Sequence, residues 1–281
     1  MFRSLAALAA LGAASGLTAG EQGYLLQYEY ETSTQEVSGH GQSSSGGTQS
    51  LAEHAIATTA EGLEIEYSIP GDPDEVRGND MWMYPARVLV RPDGSKRLLN
   101  ESEIIARRDL WLDEAGWTKE QCGRWLFTWT AVKIECDPQA VLESIEGYGL
   151  RPAPLRPGTQ FELPEYGISG LLEDRGTRNG RQVLFLSAPV DPQTVRDQEA
   201  RTREIVAEIS GGTLPVDDTS SGSEIDASGT IEIEFEIDEA GLVWKKTETV
   251  EMLVTGLDRG DEERTAKRTL TRIPAAEADF E

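Results

Sequence analysis

Histidine and cysteine are almost missing: the 281 residues hold two of each. With His40 and His54 as the only imidazoles, no His/Cys set at zinc spacing exists, and a hydrolase using His as its base has only these two to recruit. Cys122 and Cys136 are not the C-x-x-C of a redox or metal pair. A Gly-rich phosphate loop ahead of a helix is also missing, and Gly167-Ile168-Ser169-Gly170 falls short of a nucleophile elbow. Basic residues are scarce beside acidic ones, 26 Lys and Arg against 50 Asp and Glu, for a formal charge of −24. Such a surface repels nucleic acid and anionic headgroups. Long apolar runs are lacking too. The run Leu5 to Leu11 is too short to span a bilayer, so an integral membrane protein is not expected. No residue takes a catalytic or metal-binding role, and no cofactor is expected.

What is present begins with a secretory pattern. Arg3 precedes the apolar run, and small residues lead to Ala19, which predicts a signal peptide over 1–19 with cleavage after Ala19. No cysteine follows the run to accept a lipid anchor. The chain is expected to be exported to the periplasm or the extracellular space, with 20–281 as one β-rich domain. An even cysteine count in an exported chain reads as one disulfide, Cys122–Cys136. Its closed loop of about 15 residues would stabilise by roughly 3 kcal/mol.

Residues 230–238 alternate cleanly. Ile231, Ile233, Phe235 and Ile237 fall on one strand face, and Glu232, Glu234, Glu236 and Asp238 on the other. Leu63 to Ile69 repeats this pattern on the far side of the chain's centre. Further strands are expected at 24–34, 52–59, 88–91, 96–99, 168–175, 181–187, 242–255 and 262–272, with a hairpin at Asn179-Gly180. Residues 38–50, rich in Gly, Ser and Gln, read as a flexible hairpin tip or a disordered loop. The centre differs. Capping signals at Asn100/Glu103, Thr118/Gln121 and Asp137-Pro138 predict helices over 101–115, 119–127 and 138–147, a helical insert of about 100–147. Another helix is expected after Asp191-Pro192. Arg151 to Gly158, with three prolines, reads as a linker and a sub-boundary.

Several constellations point to chemistry. The triplet Glu232, Glu234 and Glu236 puts carboxylates about 7 Å apart on one face, within an inverting glycosidase's range; a solvated sheet face explains it as well. Asp217-Asp218-Thr219 gives one weak copy of an aspartic-protease element, where two are needed. Asp217–Asp226 loosely suggests a calcium loop but lacks its bidentate Glu, and Asp72, Asp74, Asn79 and Asp80 offer another oxygen cluster on a loop; acidic loops are usually just solvated. Asn100-Glu101-Ser102 is a formal glycosylation sequon, though a helix cap accounts for Asn100. Trp111, Trp117, Trp125 and Trp129 make the helical centre the most apolar part of the chain. They serve as core or as the lining of an apolar ligand site; the candidate ligand-binding residues are Trp111, Trp125, Trp129 and Phe235.

The order of strands, helical centre and strands resembles the periplasmic lipoprotein-carrier architecture. The resemblance covers most of the mature chain and transfers no functional residue. It implies an α+β fold: a large curved antiparallel β-sheet, a half-barrel, with the central helical segment packed on its concave face. It also implies a non-enzymatic envelope protein that binds a lipid, another hydrophobic ligand or a partner's apolar segment in the concavity. The alternatives are an interaction or structural module that docks an envelope partner through its sheet edge or acidic face, and a carboxylate-dependent hydrolase.

Overall fold

The structure, a computed structural model, describes residues 23–39, 41–71, 81–127, 131–148, 155–210, 225–239, 241–257 and 260–276. Outside them lie the expected signal peptide 1–19, His40, the Asp72–Asp80 loop, Trp129, residues 151–154 of the proline-rich stretch and the loop with Asp217 and Asp218.

The alternating segments form strands, as their period dictates. β1 (Gly23–Glu36), β2 (Gln42–Thr58), β3 (Leu63–Ser68), β4 (Ala86–Val90) and β5 (Lys96–Leu98) make an N-terminal meander. The centre holds α1 (Glu101–Glu114), β6 (Trp125–Phe127), β7 (Ala131–Lys133), α2 (Ala140–Gly147), β8 (Gln160–Leu163) and β9 (Ile168–Leu171). β10 (Glu173–Arg178), β11 (Arg181–Pro189), α3 (Pro192–Ile209), β12 (Asp226–Ile237), β13 (Val243–Thr255) and β14 (Glu262–Pro274) complete the chain. The outer two groups join side by side into one open ten-stranded antiparallel sheet, ordered β10-β11-β12-β13-β14-β1-β2-β3-β4-β5. β6 with β7 and β8 with β9 form separate two-stranded ribbons. The seam is β1 against β14, paired from Tyr24 opposite Pro274 to Glu36 opposite Glu262.

Register carries one face across the sheet. Leu184, Phe235, Lys246, Leu270, Tyr28 and Gln49 form one row; Leu186, Ile233, Glu248, Arg268, Tyr30 and Gly47 form the next. Ile65, Val88 and Leu98 continue that face through β3, β4 and β5. The two alternating segments therefore share a face. Ile104 of α1, Val141 and Ile145 of α2 and Val195 of α3 are buried in the same apolar cluster as Ile65, Ile231, Ile233 and Phe235. Asp191 caps α3, accepting from the backbone N–H of Gln193 and of Thr194. The hydrogen bond from the Thr194 hydroxyl, then those backbone bonds, hold its carboxyl below the usual range.

The β10–β11 hairpin turns through Asn179 (φ 52°) and Gly180 (φ 76°), the left-handed pair of a tight hairpin. Gly229 of β12 has φ 152°, and a Cβ there would lie 2.1 Å from the Glu251 carbonyl oxygen of β13, so only glycine fits.

Two expected elements prove to be of another type. Residues 42–50 are no loop: they extend β2, which pairs with β1 without interruption from Gln42–Gln35 to His54–Gly23. Pairing with a tyrosine- and threonine-rich partner overrides the low strand propensity of Ser and Gly. The expected helix 119–127 is a single 3₁₀ turn, Lys119–Gln121, followed by β6. The Thr118 N–H donates to Gln121 Oε1 at 2.8 Å, so the capping chemistry starts a turn, but Gly123 at φ 81° ends it and the aromatic Trp125–Phe127 takes up a strand. The Cys122–Cys136 disulfide is present, with Cα atoms 5.6 Å apart. It joins the end of this turn to the segment after β7.

Candidate functional site

The tryptophans gather at the end of α1. The Trp111 ring meets Trp117 edge-on at 5.2 Å and lies 6.3 Å from Trp82. Trp111 packs between the main core and a satellite cluster of Leu112, Ile134 and Cys136. Trp82 is buried, and its indole N–H has no hydrogen-bond partner among the described residues. Trp125 sits in β6, half-buried, with its backbone N–H donating to Glu208 of α3 at 3.2 Å. Phe235 is 1% exposed and its ring meets Phe161 of β8 edge-on at 5.1 Å. The ring contacts of Trp111 and of Phe235 are thus with different partners.

What alternation did not foretell is charge on the apolar face. Arg272 of β14 and Glu53 of β2 reach each other across β1 at 2.5 Å, both buried. The Arg272 Nε–H also donates to the Val243 carbonyl, its guanidinium lies 4.9 Å from the Tyr24 ring, and the Tyr67 hydroxyl donates to Glu53. At the other end of β14, Arg264 Nη2 lies 2.7 Å from Glu199 of α3 and 2.9 Å from Glu262. That nitrogen makes no directed hydrogen bond, so the contact is a close ion pair.

Between these lies a third group. The Arg268 guanidinium donates to Glu248 at 2.8 Å and to Glu165 at 3.0 Å, and its centre is 5.6 Å from the Tyr166 ring. Glu248 is 3% exposed and also 3.4 Å from Lys246. Burial works against the Arg268 charge, but Tyr166, Glu248 and Glu165 outweigh it and raise its pKa. Burial, then Glu248, pushes the Tyr166 phenol well up; burial likewise raises Tyr28. Both phenols are neutral hydroxyls at ordinary pH.

Among the described residues, contacts from α2 and α3 mark the two ends of this part of the sheet, and Glu165 and Tyr166 meet Arg268 between them. Tyr148, at the end of α2, meets Tyr28 edge-on at 6.3 Å, and Tyr28 stacks on Tyr30 at 5.9 Å. α3 meets the sheet at Arg264 through Glu199. Leu270, beside Tyr28, and Arg264 are six residues apart on β14, about 20 Å of strand. Between those points lie Arg268 beside Tyr30 and Ala266 beside Thr32, half-buried except for the exposed Thr32. This strip of aromatic and apolar surface joins the core directly, since Tyr28, Ala266 and Met252 pack against it. The same strands bear an open groove of about 630 Å³, lined by Glu31, Thr32, Thr249, Thr265, Ala266 and Lys267 among others.

The Glu triplet of β12 is not a plain solvated row. Arg178 donates to both Glu234 oxygens and to Glu236, which is buried. Nor does Asn100 cap α1 with its side chain: it accepts from the Arg87 N–H and donates to the Pro85 carbonyl and to Glu103. Buried in that role, it is closed to glycosylation. Among the described residues no His, Cys, Asp and Glu cluster fit for a metal occurs, and no helix is long and apolar enough to cross a membrane. Compared with known proteins, the chain matches no family model and no curated protein.

Proposed function

We propose that the chain is an exported, non-enzymatic envelope protein, residing in the periplasm, that holds an apolar ligand or a partner's apolar segment against the concave face of a half-barrel sheet. The observation that carries this reading is the strip between the two helix contacts. Tyr28, Tyr30 and Ala266 offer a half-buried aromatic and apolar floor continuous with the core. A few fixed polar groups edge it, the neutral tyrosine hydroxyls and the paired Arg268, as in small-molecule sites. The ionisable groups there are tied to one another, Arg268 to Glu248 and Glu165, which suits binding better than proton transfer. Trp111 and Trp125 then form the outer wall of the helical cover, and Phe235 the packed floor beyond the strip.

The test is binding of the neutral dye N-phenyl-1-naphthylamine, with native mass spectrometry for co-purifying lipid. Ala266→Trp fills the strip and should weaken dye binding about tenfold, with a cooperative thermal melt showing that the variant is folded. Dye binding untouched by Ala266→Trp in a folded protein, or no binding of dye or lipid at all, sinks the reading.

A further inference from the structure

Among the described residues three lengths of sheet edge stand out, and two are guarded. β10 carries Glu173, Asp174, Arg175 and Arg178 in six residues, and its register slips between Asp174 and Thr177. β5 is three residues long and includes Lys96 and Arg97. Charge, irregularity and brevity are the usual means of keeping a foreign strand off an edge. The third length is different. β3 pairs with β2 only from Ala52 onward, so among the described residues no strand covers the outer edge of β2 over Gln42–Ser50. These nine residues, Gln-Ser-Ser-Ser-Gly-Gly-Thr-Gln-Ser, hold no charge and no proline. Side chains 42–49 are exposed on both faces of the sheet. The strand is nevertheless ordered from behind. The Tyr30 ring covers Gly47, where a Cβ would lie 3.0 Å from it, and the Thr32 hydroxyl donates to the Ser45 carbonyl. A straight, regular edge with free N–H and C=O groups and no guard is a template for strand addition.

We infer that this edge pairs with the same edge of a second copy of the chain, antiparallel, about a two-fold axis perpendicular to the sheet. Charge selects that occupant. With a formal net charge of −24, most approaches between copies set carboxylate against carboxylate, whereas Gln42–Ser50 brings none. The nearest, Glu29 and Glu31, stand on β1 opposite Thr48 and Gly46. Across the joint, equivalent residues would be three strand spacings apart, about 14 Å, beyond the ~8 Å screening length at physiological salt.

Symmetry then sets the register. A perpendicular two-fold keeps each face on its own side, so only residues of the same face can be opposed. Centring on Gly46 puts Gln42 opposite the partner's Ser50 and uses the whole free edge. Ser44 meets the partner's Thr48, a hydroxyl pair of the kind that supports sheet pairing, and Ser43 meets the partner's Gln49. The apolar faces of both copies lie on the same side of one continuous sheet.

Sedimentation velocity over a concentration series tests this, with thermal melts reporting the fold of each variant. The parent should show a concentration-dependent dimer. Ser43→Glu/Gln49→Glu places like charges opposite each other twice and should raise the dissociation constant about tenfold. Ser43→Glu/Gln49→Lys opposes unlike charges at the same two places and should restore the dimer. All these side chains are exposed, so the monomer fold should be untouched. A monomer at every concentration overturns the inference, whether the edge then stays open or accepts a foreign strand. So does a dimer indifferent to both pairs.

Discussion

Arg272 has no exposed side-chain surface, and its charge is met by Glu53, the Val243 carbonyl and the Tyr24 ring. An ion pair this deep contributes little net stability over an apolar pair of similar size, but removing one member leaves the other buried and charged. Arg272→Met should therefore cost about 3–5 kcal/mol in urea unfolding, and Glu53→Leu/Arg272→Met should recover most of that. A single substitution costing under ~1 kcal/mol would contradict the burial of this charge. Little of this was legible in the sequence. Alternation assigns core-facing positions to apolar residues, and Glu53, Glu248, Arg268 and Arg272 occupy such positions. A trace existed: Arg264, Arg268 and Arg272 are four apart in one strand, which puts all three on one face. Phe235 and Trp111, by contrast, are legible as large apolar residues, though not their separate ring partners.

At the scale of elements, hairpins and helices with strong local signals were read well. Asn179-Gly180, the Ile-Glu alternation of β12 and the Asp191-Pro192 start of α3 each depend on a few neighbouring residues. Sequence and structure part where pairing with the neighbouring strand of a hairpin overrides local composition. Gln42–Ser50 is a strand because β1 lies beside it, and Trp125–Phe127 is a strand because β7 pairs with it. The disulfide belongs to this scale. It closes a local segment whose apolar contacts are the satellite cluster of Leu112, Ile134 and Cys136 with Trp111, Trp117 and Leu126. Cys122→Ser/Cys136→Ser should shift tryptophan fluorescence and speed amide exchange in β6, β7 and the end of α1. The far-UV signal of the ten-stranded sheet should persist. Global unfolding at the same temperature would mean that the satellite cluster holds the whole sheet.

The whole molecule is two meanders, β1–β5 and β10–β14, each consecutive in sequence and joined along the seam of β1 with β14. A curved antiparallel sheet with four helices was expected, and an antiparallel sheet with three is found; the strand order is not legible, because nothing local in β1 names β14 as its neighbour. Arg272 and Glu53, 219 positions apart, span that seam. The seam also brings two distant parts of the backbone together: the Ala275 N–H donates to the Gly23 carbonyl at 2.8 Å. Position along the chain is therefore close to arbitrary here. A circular permutant that links residue 276 to residue 23 and opens at the Asn179-Gly180 turn makes the thirteen paired positions of the seam a neighbouring hairpin, and makes distant only the four of β10 with β11. Because folding rate falls as contacts become more distant in sequence, that permutant should reach the same sheet and refold faster than the parent in stopped-flow measurements. Equal or slower refolding would mean that closure of the seam is not the slow step.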